Sequence, residues 1–126
     1  MTDIWKMQLQ HLTDLHFLID SGGKITMEII TKTEGNKATM EISGLLDTQT
    51  APQLGEALSG LEDSITSLVF DFTNLEYISS AGLRQVIVAY KKMAQKDGFK
   101  IINVSDEVYD VFSLTGFDSK IDIQKK

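Results

Sequence analysis

Two short segments hold the residues whose types and spacing could do chemistry: Gly44-Leu45-Leu46-Asp47-Thr48-Gln49-Thr50 and Tyr77-Ile78-Ser79-Ser80-Ala81-Gly82-Leu83. In the second, two serines stand directly before a long stretch with helical apolar spacing. A helix that begins there offers unpaired backbone N–H groups and about half a positive charge. An anion such as phosphate is stabilised at that point. Ser79 and Ser80 therefore admit two compatible readings. One is a side chain that caps the helix, a role serine fills well. The other is a hydroxyl that accepts a phosphoryl group. In the first segment Asp47, Thr48 and Thr50 are either turn and cap residues or the lining of a docking surface beside Ser80.

The residues that are missing narrow the chemistry further. There is no cysteine, and the only imidazoles are His11 and His16, near the beginning of the sequence. Thiolate metal sites, a cysteine nucleophile and a Ser-His-Asp triad in the body of the domain are excluded. A serine nucleophile needs a base and an oxyanion hole, and only Asp71 and Glu76 lie near Ser80 in sequence. Ser-Ser-Ala-Gly lacks the flanking glycines of a nucleophile elbow, and Gly44–Thr50 lacks the glycines and Gly-Lys-Ser/Thr ending of a phosphate loop. The expectation is a protein that is not an enzyme, with no catalytic residue, no cofactor and no metal. Twelve basic against eighteen acidic residues give a net charge of -6, which repels nucleic acid and anionic membrane. No apolar run approaches a membrane span, and no signal-peptide pattern opens the sequence. The expected location is the cytoplasm.

The elements that must position these loops follow from periodicity. The 126 residues suit one domain. Met27, Ile29 and Thr31, then Ala38, Met40 and Ile42, alternate with more polar neighbours around Glu34-Gly35-Asn36-Lys37, which predicts a β-hairpin. Gly44–Gln49 is a loop. Thr50-Ala51-Pro52-Gln53 fits a capping box, opening a helix to about Ser59 that buries Leu54, Ala57 and Leu58. Ile65 to Phe72 suits a buried parallel strand. A second loop, Thr73–Ser80, leads to the longest helix, about Ala81 to Lys96, ended by Gly98. Phe99–Val104 is a strand, Ser105 caps a short helix through Phe112 closed near Gly116, and Ile121 and Ile123 mark a last strand. The expected fold is α/β in the order ββαβαβαβ, a mixed sheet with parallel strands joined through helices. Both loops then lie near one end of the sheet, where such folds place their sites.

Residues 1–26 read differently. Trp5, Leu9, Leu12, His16 and Ile19 have near-helical spacing, with Thr2 or Asp3 as cap, and Ser21-Gly22-Gly23 breaks the pattern. Two readings stay open: a helical extension, or translated leader ahead of a start at Met27, with Gly22-Gly23 as the trace of a ribosome-binding site. The division expected is 1–26 as extension and 27–126 as the working domain. That domain holds 15 acidic and 10 basic residues, so the acidity belongs to it.

Gly44-Leu45-Leu46-Asp47-Thr48-Gln49-Thr50-Ala51 and Leu75-Glu76-Tyr77-Ile78-Ser79-Ser80-Ala81-Gly82-Leu83-Arg84 together resemble the STAS domain, in particular the single-domain anti-sigma factor antagonists of bacteria. The resemblance spans about Met27 to Ile123 and includes the late Leu114-Thr115-Gly116-Phe117. It implies a STAS-like fold and a binding switch. The unphosphorylated antagonist binds an anti-sigma factor that is itself a serine kinase of the histidine-kinase-like ATPase fold, and this frees a sigma factor. Phosphorylation at the start of the long helix ends binding, and a PP2C-type phosphatase resets the switch. Matched on Gly82, the acceptor is Ser80, with Ser79 the second candidate. Ser79 stands where the family usually has Asp, and Ala81 where it has a second hydroxyl. The resemblance makes Asp47, Thr48, Thr50, Ser79, Ser80, Ala81, Gly82 and Arg84 the partner-binding set; a monomer is the default expectation. The alternative within the family is a subunit of a lipid-transport or other transporter complex, or a small-ligand sensor.

Overall fold

The computed structural model describes residues 14–19 and 22–126. Among them are seven strands: β1 (Asp14–Ile19), β2 (Ile25–Glu34), β3 (Lys37–Leu46), β4 (Ser67–Asp71), β5 (Leu75–Ile78), β6 (Gly98–Val104) and β7 (Asp122–Lys125). Three helices join them: α1 (Ala51–Ser59), α2 (Ser80–Ala94) and α3 (Asp106–Thr115), with a 3-10 turn at Phe117–Ser119. The sheet runs β1-β2-β3-β4-β6-β7, antiparallel through β3 and parallel thereafter. This is the mixed α/β architecture expected. No helix among the described residues is long and apolar enough to cross a membrane.

The core follows from strand alternation meeting helical stripes. Met27 and Ile29 of β2, Ala38, Met40 and Ile42 of β3, Leu68 and Phe70 of β4 and Ile101 of β6 are buried on one face. Against them pack Leu54, Ala57 and Leu58 of α1, Leu83, Val86, Ala89 and Met93 of α2, and Val108 and Phe112 of α3, in one continuous cluster. Burying each such large side chain contributes roughly 1.5–3 kcal/mol. Phe99 meets Phe70 edge to face, with ring centroids 4.9 Å apart, a favoured aromatic geometry. Tyr109 and Phe117 are partly buried on the same cluster, and Phe112 is fully inside it.

Four expectations are corrected. The helix expected to run through Ile19 is a strand over Asp14–Ile19, paired antiparallel with β2 from Asp14↔Thr31 to Ile19↔Ile25. Phe17 and Ile19 suit a strand, and pairing satisfies backbone groups that β2 would otherwise expose along its edge. The remainder of that expected helix, with Trp5, Leu9 and Leu12, lies outside the described residues. β2 begins at Ile25, ahead of Met27. The loop expected over Thr73–Ser80 contains β5, which pairs in parallel with β3 beyond the end of β4. The long helix stops at Ala94 rather than Lys96, and Gly98 opens β6 instead of closing the helix.

Candidate functional site

Strand register brings the two loops together. Leu45 lies opposite Tyr77 and Leu46 opposite Ile78, so β3 and β5 end side by side and both chains turn into helices there. The handover of β3 from β4 to β5 occurs at Gly44. Its N–H donates to the Asn74 carbonyl at 2.9 Å, and its φ is +88°. A Cβ there would sit 2.4 Å from the Thr26 carbonyl oxygen, so only glycine fits. The second loop is tied to the first by the Ser79 N–H, which donates to the Leu46 carbonyl at 2.9 Å.

The first loop is held from within. Asp47 Oδ1 accepts from the Gln49 N–H at 2.9 Å and the Thr50 N–H at 3.1 Å. The Thr50 hydroxyl donates to the Leu45 carbonyl at 2.7 Å and accepts from the Asp47 N–H at 2.8 Å. Thr50 is 1% exposed. The expected capping box does not form: Thr50 precedes α1 but its side chain makes no cap bond. Its backbone is already helical at ψ -20°, and its hydroxyl turns back across the loop instead. Asp47 forms an Asx turn just ahead of the helix, and its backbone carbonyl accepts from the Ala51 N–H at 2.8 Å.

The second loop divides its two serines. Ser79 is the N-cap of α2, extended at ψ 176°, and its Oγ accepts from the Gly82 N–H at 3.2 Å. Ser80 is the first residue of the helix and is exposed. Among the described residues its side chain has no hydrogen-bond partner. Gly82 sets how closely the helix start approaches the sheet. A Cβ on it would meet the Leu46 carbonyl oxygen at 2.6 Å, the Leu46 side chain at 2.7 Å and the Ile78 side chain at 3.1 Å.

The residues expected to touch a partner thus separate by depth. Thr48, Ser80 and Arg84 are exposed, while Asp47, Ser79 and Ala81 are half-buried. Thr50 and Gly82 lie beneath this surface and shape it from inside. Sequence reasoning missed Leu45 and Tyr77, which are 37% and 52% exposed and sit next to each other across the β3–β5 pair. The alternation of Leu45 with buried Leu46, and of Tyr77 with buried Ile78, was the available signal.

The approach to β5 is pinned by Asp71. Its Oδ1 accepts from the Thr73 N–H at 3.0 Å, from the Thr73 hydroxyl, and from Asn103 Nδ2 at 3.1 Å. Burial alone would raise its pKa. The Thr73 hydroxyl, Asn103, the Thr73 N–H and the Lys32 charge outweigh that effect and hold it below the usual value of 3.8. This carboxylate thus ties the end of β4 to the turn into β5 and to β6. Among the described residues, no three His, Asp or Glu side chains are grouped to hold a metal ion.

The sequence model of the STAS domain matches residues 28–126. The Anti-sigma-B factor antagonist of Bacillus subtilis is 31% identical over 104 residues, covering 81% of this chain and 94% of that protein. The crystal structure of an anti-sigma factor antagonist from Mycobacterium paratuberculosis superposes with a TM-score of 0.73 at 24% identity, over 86% of this chain and 92% of that one. SpoIIAA in its unphosphorylated form gives a TM-score of 0.65 at 17% identity, over 75% of this chain and 86% of that one. The Bacillus SpoIIAA in the phosphorylated form gives 0.55 at 17% identity, over 75% and 89%.

Proposed function

The chain belongs to the STAS domain family, and from that premise we propose that it is an anti-sigma factor antagonist switched by phosphorylation of Ser80. The unphosphorylated form binds an anti-sigma factor that is also a serine kinase of the histidine-kinase-like ATPase fold. A sigma factor is thereby freed in the cytoplasm. The kinase joins the Ser80 Oγ to the γ-phosphorus of ATP as the bond to the β-phosphate oxygen breaks; ADP leaves and the hydroxyl proton passes to a base of the kinase. A PP2C-type phosphatase reverses the mark by hydrolysis. The chain's own part is binding and presentation, without catalytic groups.

The observation that carries this reading is the division of labour between the two serines. Ser79 spends its oxygen on the cap, whereas Ser80 presents an unbonded hydroxyl on the first turn of α2. The fold relative SpoIIAA exists in both phosphorylation states, and the Bacillus subtilis relative is named for opposing an anti-sigma factor. The docking face combines Asp47, Thr48, Ser79, Ser80, Ala81 and Arg84 with the apolar pair Leu45 and Tyr77.

The physics of release is electrostatic. A phosphoryl group adds about -1.5 to -2 charges at neutral pH. An interface fitted to a neutral hydroxyl then encloses an unpaired anion, at a cost of roughly 2–5 kcal/mol. That is about 30-fold to several-thousand-fold in affinity. The fold itself tolerates the anion, because the helix N-terminus partly offsets it.

The test uses the host's anti-sigma factor kinase. Ser80→Ala is expected to take up no phosphate while binding the kinase as the wild type does, and Ser80→Asp is expected to bind at least tenfold more weakly. Wild-type phosphate incorporation into Ser80→Ala would overturn the assignment.

A further inference from the structure

Arg84 is the one arginine in the chain, beside eleven lysines, and the one basic residue between Lys37 and Lys91. Seven acidic residues share that stretch. It is exposed, and among the described residues it forms no ion pair. It stands four residues after Ser80 on the same helix. Residues four apart share a helix face, about 6 Å apart along the axis. A long helical side chain leans toward the N-terminus and covers the preceding turn. The spacing therefore puts Ser80 within reach of an Arg84 side chain that follows this rule. The next cation along α2, Lys91, lies about 16 Å down the axis from Ser80. Lys92 is engaged elsewhere, with its Nζ donating to the Leu58 carbonyl at 3.0 Å.

We infer that Arg84 is the internal counter-ion of phosphorylated Ser80, its guanidinium gripping the phosphoryl oxygens from one turn below. Arginine suits the task, since its planar fork donates two parallel hydrogen bonds to phosphate where lysine offers a point charge. The consequence for the switch is double. Without phosphate, Arg84 is free to meet a carboxylate on the partner. With phosphate, the docking face gains an anion and loses that cation together.

This inference rests on Ser80 being the acceptor, and its test keeps the two separable. Phosphoserine is installed at position 80 of the full chain by genetic-code expansion, so no kinase is involved. The phosphorus NMR titration then reads the second ionisation, near pH 6 for an unperturbed phosphoserine. The helix N-terminus and the loop acids Asp47 and Glu76 act equally on every variant. The expected midpoint in the wild type is lower than in Arg84→Ala by roughly half a unit, with Arg84→Lys between them. Raising the salt to about 1 M should shrink the gap. Coincident midpoints in wild type and Arg84→Ala would overturn the inference. A wrong acceptor assignment shows in the kinase assay on Ser80→Ala and leaves this titration unchanged.

Discussion

The β3–α1 loop and the β5–α2 loop occupy equivalent places, side by side at the ends of paired parallel strands, yet they use their hydroxyls in opposite ways. Thr50 turns its hydroxyl inward, donating to Leu45 and accepting from Asp47, and is sealed from solvent. Ser80 turns its hydroxyl outward and bonds to nothing among the described residues. Between these extremes stands Ser79, half-buried and spent on the cap. The lesson is that a run of small hydroxyl residues around a strand–helix junction is not one site. A few of them build the frame, and that frame lets one of them be displayed without structural duty.

The contrast can be broken most forcefully at Thr50. Thr50→Val keeps the shape and removes the hydroxyl, leaving the Leu45 carbonyl and Asp47 N–H without that partner. The expected loss is roughly 2–4 kcal/mol in urea unfolding, since buried unpaired groups cost about 1–3 kcal/mol each. A loss below about 0.5 kcal/mol, within ordinary surface scatter, would deny the loop its internal frame.

A smaller effect separates the serines. Ser79→Ala should cost about 1 kcal/mol, the usual worth of a cap. Ser80→Ala should stay within about 0.5 kcal/mol of wild type, as exposed substitutions do. Equal losses in the two variants would erase the distinction on which the switch reading stands.

The smallest effect concerns Asp71, which fixes the turn into β5. Its folded pKa is depressed, so the stability it lends is complete above its unfolded value and is lost as pH falls through the folded one. Denaturation midpoints of the wild type should therefore decline between about pH 5 and 2 more steeply than those of Asp71→Asn. Parallel curves would mean that Asp71 binds protons alike in both states.

Much of this was legible in the amino-acid order, and the exceptions have physical causes. The three helices showed through stripes such as Leu83, Val86 and Met93, and the hairpin through Met27, Ile29, Met40 and Ile42, because their cores require those periods. β5 was hidden because it has four residues, of which only Leu75 and Ile78 are buried. Glu76 and Tyr77 look like loop residues until β3 is seen to need a second parallel partner. β1 was misread because His16 and Ile19 also fit a helical repeat, and only the open edge of β2 decides for a strand. At the site, both loops and the exposed Thr48, Ser80 and Arg84 were marked out by their motifs, whereas exposed Leu45 and Tyr77 were not. The depth of Thr50 and the separation of Ser79 from Ser80 were not, since they depend on where the strand register aims each hydroxyl.

The central claim is that Ser80 is the residue the cell modifies. The direct measurement is mass-spectrometric mapping of phosphate on the protein purified from its own host, with and without stress. The account predicts a single phosphate whose fragment ions place it on Ser80, with an occupancy that changes with stress. Phosphate on Ser79 or elsewhere, or Ser80 unmodified in both conditions, would contradict it.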